Sequence, residues 1–163
     1  MKILIVFYSL TGNTKKVAQA IAAAVKGEIL EIKLKKPLPN RGFSKYFWGG
    51  KQVVWGESPE LLPLGKNPAD YDMIFLGTPV WAGDFAPAVR SFLSQAKLAD
   101  KKVALFCAHG GDDPGKTFAD LGKELAGNDI IGRIDLKMDM ITPAKLSDNL
   151  RKAAAWGETV ATQ

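Results

Sequence analysis

The chain has 163 residues, a formal net charge of +5 and 47% hydrophobic content. These are the values of an ordinary globular chain, long enough to close a core without disulfides or metals. Its single cysteine, Cys107, excludes an internal disulfide, and the first apolar run, Ile3 to Tyr8, is too short for a signal-peptide core or a membrane span. The expectation is one domain over residues 1–163, cytoplasmic and without membrane contact.

Lys2 to Tyr8 reads as a central strand, apolar on both faces as buried parallel strands are. Val17, Ile21 and Val25 then recur every four residues, which predicts a helix from about Asn13 to Lys26, ended by Gly27. The hexapeptide between them, Ser9-Leu10-Thr11-Gly12-Asn13-Thr14, is therefore a strand-to-helix turn. Glu28 to Leu34 alternates like a shorter strand. From about 35 to 70 the pattern is irregular: five prolines bracket a short helix expected around Phe43 to Trp55, and the segment reads as an elaborated crossover. Lys33, Lys35, Lys36, Arg41, Lys45 and Lys51 form a basic stretch without an acid, suited to an acidic docking face on a partner or to a solvated loop. Aromatics alternate with cations there, but no nucleic-acid motif surrounds them, and no nucleic acid is expected as a partner.

Met73 to Leu76 reads as a short buried strand stopped by Gly77-Thr78-Pro79. A helix begins near Phe85 or Pro87, with Val89, Phe92, Leu93 and Ala96 on one face. Lys102 to Ala108 is a strand, Phe118, Leu121 and Leu125 mark a helix, Ile130 to Met138 is a strand, and Pro143 precedes the last helix. Alternation of this kind predicts a doubly wound α/β fold, whose ligands lie beyond the carboxyl ends of the strands.

Three loops at that edge carry unusual chemistry. In the first, Ser9, Thr11 and Thr14 supply hydroxyls, Asn13 an amide, Gly12 close backbone approach, and the helix start unpaired N–H groups, so the turn can cradle a phosphate. A capped helix start is the competing reading, since Thr and Asn also cap. The second, Thr78-Pro79-Val80-Trp81-Ala82-Gly83-Asp84, sets an indole among small residues, where a planar ligand can stack. The third, Ala108-His109-Gly110-Gly111-Asp112-Asp113, offers backbone donors with little side chain in the way. Together they describe a slot for a flat heterocycle with a phosphate tail.

In these residues the chain resembles the flavodoxin family: the hexapeptide matches that family's FMN phosphate loop, and Thr78 to Gly83 and Ala108 to Gly111 match its two flavin-ring loops less strictly. The resemblance implies an open five-stranded parallel sheet in order 2-1-3-4-5 and noncovalent FMN. It implies an electron carrier between redox partner proteins; the alternative is an FMN-dependent NAD(P)H:quinone-type oxidoreductase. It also implies that Gly83 is a hinge whose carbonyl turns towards the half-reduced ring. The third loop lacks the family's stacking tyrosine, the crossover is long and the chain is basic, which bears on the partner more than on the cofactor. Because the ring carries the electrons, no catalytic side chain and no metal ligand are expected. Asp84, Asp112 and Asp113 are candidates for tuning the ring by charge, and His109 for lying against it or assisting proton uptake. Cys107 reads as a small buried hydrophobe.

Gly110 to Thr117 also satisfies the nucleotide-binding pattern G-x-x-x-x-G-K-T. Asp112 and Asp113 would stand where polyphosphate oxygens approach, and Pro114 removes a backbone donor, so the pattern is set aside. A phosphoacceptor receiver domain is set aside too, because Gly77 and Thr78 stand where its aspartate would.

Overall fold

The computed structural model describes residues 1–38 and 58–163; the helix expected around Phe43 to Trp55 lies outside them. In chain order the elements are β1 (Ile3–Phe7), α1 (Asn13–Val25), β2 (Glu28–Glu31), a 3-10 turn (Pro68–Asp70), β3 (Met73–Trp81), β4 (Asp84–Phe85), α2 (Pro87–Ala96), β5 (Lys102–His109), α3 (Thr117–Glu124), β6 (Asp129–Lys137) and α4 (Pro143–Ala161). The sheet order is β2-β1-β3-β5-β6, with β4 paired to β3 alone. All neighbours on the main path are parallel and β4 is antiparallel. Counting only the parallel strands, this is the order 2-1-3-4-5 expected from the resemblance.

The apolar run of β1 buries Leu4, Ile5, Val6 and Phe7 completely because successive side chains enter the cores on opposite faces of the sheet. Ile5 and Phe7 join Val17 and Ile21 of α1 and Ala153 and Val160 of α4 in one core. Leu4 and Val6 join Val89 and Phe92 of α2 and Leu121 of α3 in the other, which also covers Leu34 of the crossover. Each fully buried Val, Leu, Ile or Phe stabilises the fold by about 1.5–3 kcal/mol relative to exposure. Pro143 occupies the first turn of α4 behind Thr142, whose hydroxyl accepts the Lys145 N–H at 3.2 Å. Trp156 of α4 meets Phe75 of β3 edge-to-face, with ring centroids 5.6 Å apart.

Two strands differ from those expected. β3 does not stop at Gly77: it continues through Thr78 and Pro79, paired with Cys107 and Ala108 of β5, to Trp81. Gly77 is no breaker but a site of close packing, because a Cβ there would lie 2.1 Å from Cζ of Phe106. Pro79 is tolerated where the sheet gives way to a hairpin. β2 ends at Glu31, not Leu34, although Ile32 N–H still donates to the Phe7 carbonyl at 2.8 Å. Leu34 instead bridges antiparallel to Leu61, inside the crossover.

Candidate functional site

The carboxyl ends of β1, β3, β5 and β6 open onto one cavity of about 510 Å³, within the range of cofactor sites. Its first wall is Leu10, Thr11, Asn13 and Thr14. Gly12 turns the chain into α1 at φ +94°, a conformation that favours glycine, and brings no side chain of its own to cap the helix. Capping accounts for the Ser9 hydroxyl alone, since those of Thr11 and Thr14 accept no N–H of α1 among the described residues. Ser9 lies behind the wall, where its Oγ accepts the N–H groups of Gly12 and Lys15 at 3.1 and 3.2 Å and holds the turn over the helix start. The backbone N–H groups of Asn13 and Thr14 make no hydrogen bond among the described residues. They are ready donors for an anion at the positive end of α1.

The second wall is a two-residue hairpin. Val80 pairs with Phe85 and Trp81 with Asp84, so Ala82 and Gly83 form the turn, at φ +50° and +75°. Positive φ at both positions is the type I′ geometry that matches strand twist. Thr78 is fully buried; its hydroxyl donates to the Pro79 carbonyl and accepts the Ala86 N–H at 2.9 Å, fixing both ends of the hairpin. Pro79, Val80, Trp81 and Ala82 line the cavity, and Thr78 and Gly83 stand behind it. The Trp81 ring meets Tyr8 edge-to-face at 5.7 Å. Burial pushes the Tyr8 phenol up to about 12. The Gly83 carbonyl accepts the Lys116 N–H at 2.7 Å. A hinge role for that carbonyl would first require this bond to break.

The same contact explains the segment that imitates a nucleotide-binding motif. Gly115, at φ +58°, lies so close to the hairpin that a Cβ would come 2.5 Å from the Gly83 oxygen. Lys116 N–H is spent on that oxygen and the Thr117 side chain is fully buried. The motif's glycine and lysine clamp the hairpin; they enclose no polyphosphate.

The third wall is Ala108, His109, Gly110 and Gly111. His109 is buried, with Nδ1 3.1 Å from the Gly111 carbonyl and Nε2 3.0 Å from Oδ2 of Asp135. Cys107 is buried in β5 and its thiol is held well up by burial and by the Asp135 charge, which makes it an inert hydrophobe. The three loop aspartates do not line the cavity. Asp84 Oδ1 accepts the Phe85 N–H at 2.7 Å, Asp113 Oδ1 accepts the Gly115 N–H at 2.7 Å, and the exposed Asp112 faces Lys137 at 3.5 Å. Two of them shape turns.

A fourth wall carries no sequence motif. Asp139 and Met140, in the loop after β6, complete the lining. Asp139 Oδ1 accepts from Nδ2 of Asn13 at 2.6 Å, and its side chain occupies the space that a Cβ on Gly110 would need. The available signal was topological: β6 also ends at this edge, so its loop belonged with the other three. Among the described residues no three His, Cys, Asp or Glu side chains converge on a metal position, and no helix is long and apolar enough to cross a membrane.

A doubly wound sheet whose first helix start presents unpaired N–H groups to a cavity lined by an indole has the chemistry to hold a phosphate-bearing planar ligand. The flavodoxin family model matches residues 2–140, and the chain belongs to that family. A Lactobacillus acidophilus flavoprotein crystallised with FMN is 28% identical, with TM-score 0.69, over 82% of this chain and 92% of its own. The two-electron reduced flavodoxin of Megasphaera elsdenii is 24% identical, with TM-score 0.63, over 99% of both chains. An azoreductase from Bacillus anthracis shares the fold at 16% identity and TM-score 0.59, over 98% of this chain and all of its own.

Proposed function

We propose that this flavodoxin-family chain binds FMN noncovalently and passes electrons between redox partner proteins. The observation that carries the reading is the convergence of the loops after β1, β3 and β5 on one cavity, with free donors at one end and Trp81 at another. The residue types fit the group. Asn13 and Thr14 would bind the phosphate through backbone N–H groups, helped by the Thr11 and Thr14 hydroxyls, and Ser9 and Gly12 would hold the turn in shape. Trp81, in the segment Thr78 to Gly83, would stack on the ring, and Ala108 to Gly111 would meet its polar edge. Bound FMN supplies the electron-accepting ring, and the protein orients it and sets its surroundings. The basic residues Lys33, Lys35 and Lys36 suit a partner with an acidic docking face.

A second reading, an FMN-dependent NAD(P)H:quinone-type oxidoreductase, has one observation in its favour. The Gly83 carbonyl is already bonded to Lys116 N–H, so the acceptor expected for the half-reduced ring starts from a committed position. Anaerobic stepwise reduction of the FMN-loaded protein separates the two. The carrier reading expects two resolved one-electron steps and no oxidation of NADH or NADPH. A single two-electron step driven by NADPH refutes the carrier and supports the enzyme.

A further inference from the structure

Met140 is 103% exposed, although it is a large apolar residue at the mouth of the cavity. Its backbone lies at φ +53°, in the left-handed region that L side chains avoid at a cost of about 1–2 kcal/mol. A residue held under strain with its side chain in water contributes nothing visible to the fold. Strain of this kind persists where the surroundings impose it, and it concentrates at ligand clamps.

The surroundings are specific. Met138 N–H donates to the His109 carbonyl at 2.8 Å, which carries the pairing of β6 with β5 to the edge of the cavity. One residue on, Asp139 is tied to Asn13 of the phosphate turn and packs against Gly110. Two residues after Met140, Thr142 caps α4. The turn is pinned on both sides, and Met140 is the residue it presents. Met138 belongs to the core beneath α1 and α4, whereas Trp81 packs on the core beneath α2 and α3. The segment that carries Met140 therefore leaves the core beneath α1 and α4, the hairpin that carries Trp81 packs on the other core, and both residues line the cavity.

We propose that Met140 is a flavin-contact residue: its thioether closes over the ring on the side opposite Trp81, as the apolar cover that the third loop, without an aromatic, does not provide. Methionine suits this place because its unbranched, polarizable side chain adapts to an aromatic surface and gains from a sulfur–ring contact. The inference rests on the FMN reading above.

The test titrates FMN and riboflavin into wild type, M140A, M140L and M140G, with thermal unfolding of each flavin-free protein. M140A is expected to weaken both flavins about 2- to 10-fold and by the same factor, the span of one thioether–ring contact, and M140L, which keeps the apolar bulk but not the sulfur, is expected to fall between M140A and wild type. M140G is expected to unfold at higher temperature than wild type, because glycine relieves the positive φ, and yet to bind both flavins more weakly. Opposite signs in stability and affinity set a ligand contact apart from a structural residue. Unchanged affinity in M140A and M140G overturns the proposal. So does a loss confined to FMN, which would mean that Met140 acts on the phosphate turn through Asp139. Wild type is titrated first: a chain that takes up neither flavin overturns the FMN reading, and this proposal with it.

Discussion

An alanine at position 115 would place a methyl carbon 2.5 Å from the Gly83 oxygen and 2.7 Å from the Gly83 Cα. Both contacts are to backbone, so no side-chain rotation relieves them. The hairpin turn or the 110–117 loop must move, and either movement breaks the 2.7 Å bond from Lys116 N–H to Gly83. Three contributions add. A left-handed alanine costs about 1–2 kcal/mol, the overpacked contact about 1–3 kcal/mol, and the lost hydrogen bond about 0.5–1.5 kcal/mol. The expected destabilisation of Gly115→Ala is roughly 2.5–6.5 kcal/mol, a large share of a typical domain stability of about 5–15 kcal/mol. Urea unfolding of the FMN-free protein measures it, with Gly111→Ala as the control. A Cβ at Gly111 meets only the Asp113 carbonyl, at 4.0 Å, and should cost under about 0.5 kcal/mol. Because the displaced turn carries Trp81 and Ala82, FMN affinity should fall at least about tenfold in Gly115→Ala. Stability within about 1 kcal/mol of wild type, together with unchanged affinity, would refute the clamp.

Three further outcomes follow from other contacts. Gly77→Ala drives a Cβ into the Phe106 ring and should destabilise by about 1–3 kcal/mol in urea unfolding; a neutral effect would mean that β3 and β5 are less closely packed than described. Asp139→Asn keeps an acceptor for Asn13 but removes a negative charge near the phosphate turn, so FMN should bind about 2- to 10-fold tighter at low salt. The gain should fade as salt is added, and weaker or salt-independent binding would contradict that placement. Hydrogen bonds from Lys66 and Tyr71 hold the Glu28 carboxyl below the usual carboxylate range. A lowered folded-state value means that the stabilisation is present above the unfolded value and is lost as pH falls through the folded one. Glu28→Gln should flatten that part of the acid limb of a stability–pH curve, and superimposable curves would count against it.

The alternation of elements and the phosphate turn were legible because each rests on local pattern: four-residue apolar spacing in α1, unbroken apolar runs in β1 and β5, and hydroxyls crowded before a helix. Where local pattern misled, the deciding partner was distant in sequence. Gly77-Thr78-Pro79 has the composition of a stop signal, yet Gly77 is small because Phe106 lies over it, twenty-nine positions along the chain. Asp139 and Met140 carry no motif, and their place in the site comes from the parallel pairing of β6 beside β5. The loop aspartates illustrate the converse. Their position in the ring loops suggested tuning by charge, but Asp84 and Asp113 bond backbone N–H groups within their own turns.

If the cavity holds FMN by its phosphate and its ring, calorimetric titration of the purified chain with FMN, riboflavin and inorganic phosphate shows it. One FMN should bind per chain with quenched flavin fluorescence, riboflavin should bind more weakly by the lost phosphate contacts, and phosphate should compete with FMN. No heat and no quenching with FMN, or equal affinity for FMN and riboflavin, would contradict it.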